Sequence, residues 1–147
     1  MIGKITVKVK RLDEKAVMPA KAHPTDAGAD LVATSMKWDD DGNIVYGTGL
    51  AFEIPEGHVG MLFPRSSIAK HEQLLTNSVG LIDCHYRGEV MAKFAPTNKN
   101  IGGGRRYNIG DKIAQMVIMP YPETEYIEVD ELSETDRGEG GYGSSVR

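Results

Sequence analysis

Short stretches of alternating apolar and polar residues dominate the chain. Residues 4 to 10 place Ile5, Val7 and Val9 on one face and Thr6, Lys8 and Lys10 on the other, the pattern of a half-buried strand. Further strand-like runs cover Asp30 to Trp38, Ile44 to Ile54, His58 to Phe63, Val90 to Phe94, Ile113 to Met119 and Glu125 to Val129. Gly, Pro, Asn or Asp punctuates each of them. Asp41-Gly42-Asn43 predicts a hairpin turn between two of these runs. Only Ser67 to Leu75 tolerates a helical reading, and it is about two turns long. Evenly spaced short strands predict an all-β sandwich or barrel. No internal repeat or domain boundary interrupts the pattern. Residues 1–132 therefore read as one β domain. The polar, glycine-rich tail from Ser133 to Arg147 reads as a mobile arm.

Composition narrows the class. The 147 residues suit about one domain. The 17 glycines are about 12% of the chain, against a usual ~7%. They cluster at Gly47 and Gly49, at Gly102 to Gly104 and at Gly138 to Gly143, as turns and close backbone approaches require. With 17 basic and 21 acidic residues the net charge is −4. That balance argues against direct nucleic-acid binding as the main task, while leaving room for a local anion site. No run reaches roughly 18 apolar residues, so no membrane span is expected. The opening residues MIGKITVKVK lack the apolar core of a signal peptide. A single cysteine, Cys84, makes no internal disulfide, which points to a reducing compartment such as the cytoplasm, a host's if the chain is viral.

Some motif matches fail on their surroundings. Gly138-x-Gly140-x-x-Gly143 fits a dinucleotide-binding pattern, yet no strand-turn-helix unit follows it. Ser67-x-x-Lys70 fits a nucleophile pair of penicillin-binding proteins, but Ser-Asp-Asn and Lys-Thr-Gly partners are absent. The four histidines and Cys84 show no zinc-ligand spacing.

Five segments carry the chemistry. Ala27-Gly28-Ala29-Asp30-Leu31 is a turn feeding a strand. Pro64-Arg65-Ser66-Ser67 opens the one possible helix, combining hydroxyls and free N–H groups with a planar donor fork suited to phosphate. Asn77 to Gly88 reads as a hairpin whose polar turn carries Asp83 and Tyr86 and whose backbone can meet the edge of a base. Gly110 to Met116 is a turn entering a strand, with Gln115 among apolar neighbours and in need of hydrogen-bond partners. Asp136 to Ser145 joins Arg137, Tyr142, Ser144 and Ser145 on a flexible backbone, suited to closing over a phosphorylated ligand.

In this order, over residues 27 to 145, the five segments resemble the five motifs of the trimeric deoxyuridine triphosphatases (dUTPases). The resemblance implies a β jelly-roll protomer and a homotrimer whose three sites are each assembled from three chains. It implies hydrolysis of dUTP to dUMP and pyrophosphate with Mg²⁺, which limits uracil in DNA and supplies dUMP. By the same resemblance Asp83 activates the water that attacks the α-phosphorus, with Gln115 beside it. Tyr86 lies under the deoxyribose and excludes a 2′-hydroxyl. Asn77, Gly80 and Ile82 form the uracil pocket. Arg65, Ser66 and Ser67 bind phosphate, and Asp30 holds the metal through water. Arg137, Tyr142, Gly143, Ser144 and Ser145 belong to the closing arm, Tyr142 standing where a stacking Phe is usual. His85 stands where an acidic residue is common, and Ser67 where glycine is frequent.

Two alternatives belong beside this reading. A dCTP deaminase shares the fold and the Arg-Ser-Ser segment, but Lys93 stands where its catalytic glutamate is expected. A non-catalytic nucleotide- or partner-binding regulatory protein could use the same trimer.

Overall fold

Nine strands are present among the residues described by the computed structural model, 3–97 and 105–141. In chain order they are β1 (Lys8–Arg11), β2 (Ala29–Val32), β3 (Ser35–Trp38), β4 (Ile44–Glu53), β5 (His58–Phe63), β6 (Gln73–Leu75), β7 (Gly80–Ile82), β8 (Glu89–Pro96) and β9 (Lys112–Pro120). They form two antiparallel sheets. One has the order β1-β4-β8-β6, with β3 also on β4, and the other β2-β9-β5-β7. The arrangement is the expected jelly-roll sandwich, and a single 3-10 helix, Ser66–Lys70, accompanies it.

The sheets close on a shared core of Leu31, Ile44, Tyr46, Leu50, Phe52, Leu62, Phe94 and Ile113. Tyr46, Phe94 and Tyr107 meet edge to face, with centroids 5.7–6.2 Å apart, a favourable arrangement for aromatic quadrupoles. β4 is buried at nine of its ten positions. Its register slips between Gly47 and Ala51. Gly49 sits there at φ +66, a conformation that favours glycine.

Several expectations hold. β5 spans the predicted residues, the runs at 90–94 and 113–119 lie in β8 and β9, and the run at 44–54 is β4 apart from its last residue, Ile54. The Asp41-Gly42-Asn43 turn joins β3 to β4, with Asp39 N–H donating to the Asn43 carbonyl at 2.9 Å. The first run is strand only over Lys8–Arg11, where β4 offers a partner.

Four expectations are corrected. Asp30 to Trp38 is two strands in different sheets, because the chain crosses the sandwich at Ala33-Thr34. Ala33 N–H donates to the Asp111 carbonyl beside β9, and Thr34 N–H to the Gly47 carbonyl in β4. The helical stretch Ser67 to Leu75 ends at Lys70, and Gln73–Leu75 pairs with β8 instead. Asn77 to Gly88 is no hairpin. β7 pairs with β5 in one sheet, while β6 and β8 pair in the other. Glu125 to Val129 forms no strand, for none of the described strands lies beside it, and Tyr126 and Ile127 are 91% and 73% exposed.

Candidate active site

Pairing of β2 with β9 sets Asp30 directly opposite Gln115. Pairing of β5 with β9 sets Phe63 against the same Gln115, so the Pro64-Arg65-Ser66 segment leaves β5 beside it. The result is an open cleft of about 310 Å³ lined by Asp26, Gly28, Asp30, Arg65, Ser66 and Gln115.

Asp30 is the electrostatic centre of this cleft. Arg65 Nε donates to Oδ1 at 2.8 Å and Lys112 Nζ lies 2.9 Å from Oδ2. Burial alone would push the Asp30 carboxyl up. Hydrogen bonds and charge from Lys112 and Arg65 outweigh it and hold the group below the usual carboxylate range. Arg65 Nη1 leans on Ser67 Oγ and the Lys112 carbonyl at 3.4 and 3.5 Å, while Nη2 has no partner among the described residues. The fork is thus fixed at its Nε edge and open at Nη2, where a phosphate oxygen can be received. Gln115 Nε2 donates to the Pro64 carbonyl at 3.1 Å. Ser67 also faces a neighbouring cleft with His71 and Tyr107.

A second cleft, about 190 Å³, opens at the end of β7 and is lined by Leu81, Ile82, Asp83, Tyr86, Glu89 and Val90. The Asp83 carboxylate is exposed there. A turn carries it, closed by Tyr86 N–H donating to the Asp83 carbonyl at 3.0 Å and by Arg87 Nη1 donating to the Cys84 carbonyl at 2.6 Å. Tyr86 folds back over Gly88 and donates its hydroxyl to the Glu89 carbonyl at 3.0 Å. A side chain at Gly88 would collide with that hydroxyl.

The two clefts share no lining residue. Ile82 faces Gly60 on β5, whereas Gln115 faces Phe63. Three residues along a strand are roughly 10 Å, and the two strand spacings from β7 to β9 add roughly another 10 Å across. The run of β7 carries Asp83 further away still.

The other expected residues scatter. Asn77 is exposed before β7, its amide beside buried Gly80 at the end nearer the first cleft. Arg137 lines neither cleft and donates from Nε to the Gly140 carbonyl at 2.8 Å. Tyr142, Gly143, Ser144 and Ser145 lie outside the described residues. The sequence reading missed Lys112 and Asp26. Lys112 stands three residues before Gln115, but only the pairing of β2 with β9 reveals that it reaches Asp30.

Among the described residues no group of three or more His, Cys, Asp or Glu could cage a metal ion. Both Asp30 oxygens already face cations. This donor set fits only a cation that keeps its water and is carried on phosphate oxygens, the habit of Mg²⁺.

Fold and clefts define a jelly-roll protein equipped for a phosphorylated ligand. The family model described as dUTPase matches residues 14–146. The deoxyuridine 5′-triphosphate nucleotidohydrolase of Thermobifida fusca is 37% identical over 147 residues, 99% of this chain and 81% of that protein. That of Clostridium acetobutylicum is 39% identical over 143 residues, covering 96% of this chain and 97% of the relative. A Staphylococcus bacteriophage 80alpha dUTPase mutant, solved with dUpNHpp, superposes with a TM-score of 0.83 at 30% identity, over 95% of this chain and 97% of the other. A mutant dUTPase from phage phi11 of S. aureus, described with a structural Mg(II) ion, gives a TM-score of 0.72 at 30% identity, over 86% and 97%. The chain belongs to the dUTPase family, and the resemblance drawn from its five segments holds.

Proposed function

We propose that the two clefts are parts of one active site completed between copies of the chain, in which dUTP is hydrolysed to dUMP and pyrophosphate. One observation carries this reading. Asp83 and Gln115 both have to reach the attacking water, yet within one chain they sit in separate clefts with no shared residue. A homotrimer, which the resemblance implies, brings Asp83 of one copy to Gln115 of another.

In the assembled site the open tip of Arg65, with Ser66 and Ser67, binds the phosphates. Tyr86, held by its bond to Glu89, supports the deoxyribose and leaves no space for a 2′-hydroxyl. Asn77 and the backbone of Gly80 and Ile82 meet the uracil. Asp83 accepts a proton as the water oxygen bonds to the α-phosphorus, and the bond from that phosphorus to the bridging oxygen breaks to release pyrophosphate. The arm residues Arg137, Tyr142, Gly143, Ser144 and Ser145 close over the nucleotide. Asp30 would hold a hydrated Mg²⁺ through water, and the ion supplies charge neutralisation on the triphosphate. The buried, unpaired Cys84 suits a reducing compartment, and no helix among the described residues is long and apolar enough to cross a membrane. A cytoplasmic enzyme fits both.

The deaminase's glutamate position is occupied by Lys93, whose ammonium pairs with the Asp39 carboxylate at 2.9 Å, so the position itself supplies no general base. The test is pyrophosphate release with Mg²⁺ from dUTP, with dTTP, dCTP and UTP as controls, in water enriched in heavy oxygen. Release from dUTP alone, with the label in dUMP, is expected. Label in pyrophosphate, or equal release from UTP, overturns the assignment of α-phosphorus attack or of the Tyr86 gate.

A further inference from the structure

Gly28 stands two residues before Asp30, and Gln115 is the cross-strand partner of Asp30. Alternation along an extended strand puts residues 28 and 30 on one face, so position 28 is the diagonal neighbour of Gln115. The Gln115 carboxamide fills that diagonal. A Cβ built on Gly28 would collide with Gln115 Oε1, and would lie 3.1 Å from Cδ and 3.2 Å from Cβ of the same side chain. The backbone of Gly28 does not lie in the left-handed region. What glycine supplies here is space, not conformation: with a Cβ in place the Gln115 carboxamide has to move.

The other end of the carboxamide is fixed. Its partner is the Pro64 carbonyl, which only accepts, so the nitrogen faces Pro64 and the oxygen faces Gly28 and the cleft. Oε1 has no hydrogen-bond partner among the described residues and is free to accept one from a water or ligand.

We propose that Gly28 is a positioning residue: its missing side chain lets Gln115 lie across the β2 end with its carboxamide oxygen presented to the attacking water. The inference rests on the reading that Gln115 serves the reaction. A side chain at position 28 turns the amide away and lengthens its contact with the water, while Arg65 and Ser66 still bind phosphate. A displacement of about 1 Å at a reacting centre costs up to about a hundredfold in rate.

The test is a double-mutant cycle on the full chain, with kcat and KM for dUTP from Gly28→Ala, Gln115→Ala and the double variant. The expected result is a kcat on the order of tenfold lower or more for Gly28→Ala with KM within about twofold, and no further loss when Gly28→Ala is added to Gln115→Ala. Additive losses, or an unchanged kcat in Gly28→Ala, overturn the role of Gly28. Full turnover by Gln115→Ala instead overturns the reading of Gln115. Thermal unfolding of all three separates folding from function. If Gly28→Ala fails to fold alone but folds beside Gln115→Ala, the steric link stands. Failure to fold in both backgrounds overturns it.

Discussion

Asp30 carries a negative charge between two cations, and this governs both its chemistry and its response to acid. Its carboxyl titrates below the usual range, so it binds fewer protons when folded than when unfolded at mildly acidic pH. The stabilisation from Arg65 and Lys112 is therefore complete above an unfolded carboxylate's pKa of ~3.9 and is lost as pH falls through the depressed folded value. Urea midpoints of wild type and Asp30→Asn should differ at pH ~7, and the difference should shrink as pH falls below ~3.9. A difference that persists undiminished in acid would deny the ion triad its role. Asp83 is different in kind, exposed on a turn and with no ion pair among the described residues. Asp83→Asn keeps the shape and removes the proposed proton acceptor. Its turnover should fall by roughly 10²–10⁴-fold, with dUpNHpp affinity within about threefold of wild type by calorimetry. Wild-type turnover would remove Asp83 from the mechanism. Asp30, Arg65, Asp83 and Gln115 were legible as chemistry through the resemblance of their segments, Asp30 and Gln115 as polar residues within the strands β2 and β9. Lys112 and the spatial demand on Gly28 were not, since both arise from the pairing of β2 with β9, far apart in sequence.

At the scale of elements, alternation identified strands well where one face is buried, as in β5. It ran two strands together across Ala33-Thr34 because no Gly, Pro, Asn or Asp marks the crossing and both residues are buried. It also gave Asn77 to Gly88 a hairpin, because local pattern does not say which sheet a strand joins. Residues 125–129 show the converse. The pattern of a strand is present, but its apolar side chains stay exposed within this chain. The final described residues add only the Thr135–Gly140 turns. They contribute nothing to the core. Truncation before Arg137 should leave the unfolding midpoint within about 2 °C, since the shift per kcal/mol is about 2–4 °C at this size. Turnover of dUTP should fall severalfold or more. Undiminished turnover would remove the arm from the site, and a collapse in stability would make it structural.

For the whole molecule, the sandwich holds Arg65, Ser66 and Gln115 in one cleft and Asp83 in another, set by the registers of β5 with β7 and β9. The sequence made the inventory of the site legible through its resemblance, but not this division, which belongs to the three-dimensional pairing. The division makes one experiment decisive. Asp83→Asn and Gln115→Ala, each strongly impaired alone, should recover activity when denatured together and refolded as mixed assemblies. A site that draws Asp83 from one copy and Gln115 from another then finds both intact. Recovery of a substantial fraction of wild-type dUTP turnover is the predicted result. Mixed assemblies, verified by mass, that remain as inactive as either parent would contradict a shared site and require Asp83 and Gln115 to act from the same chain.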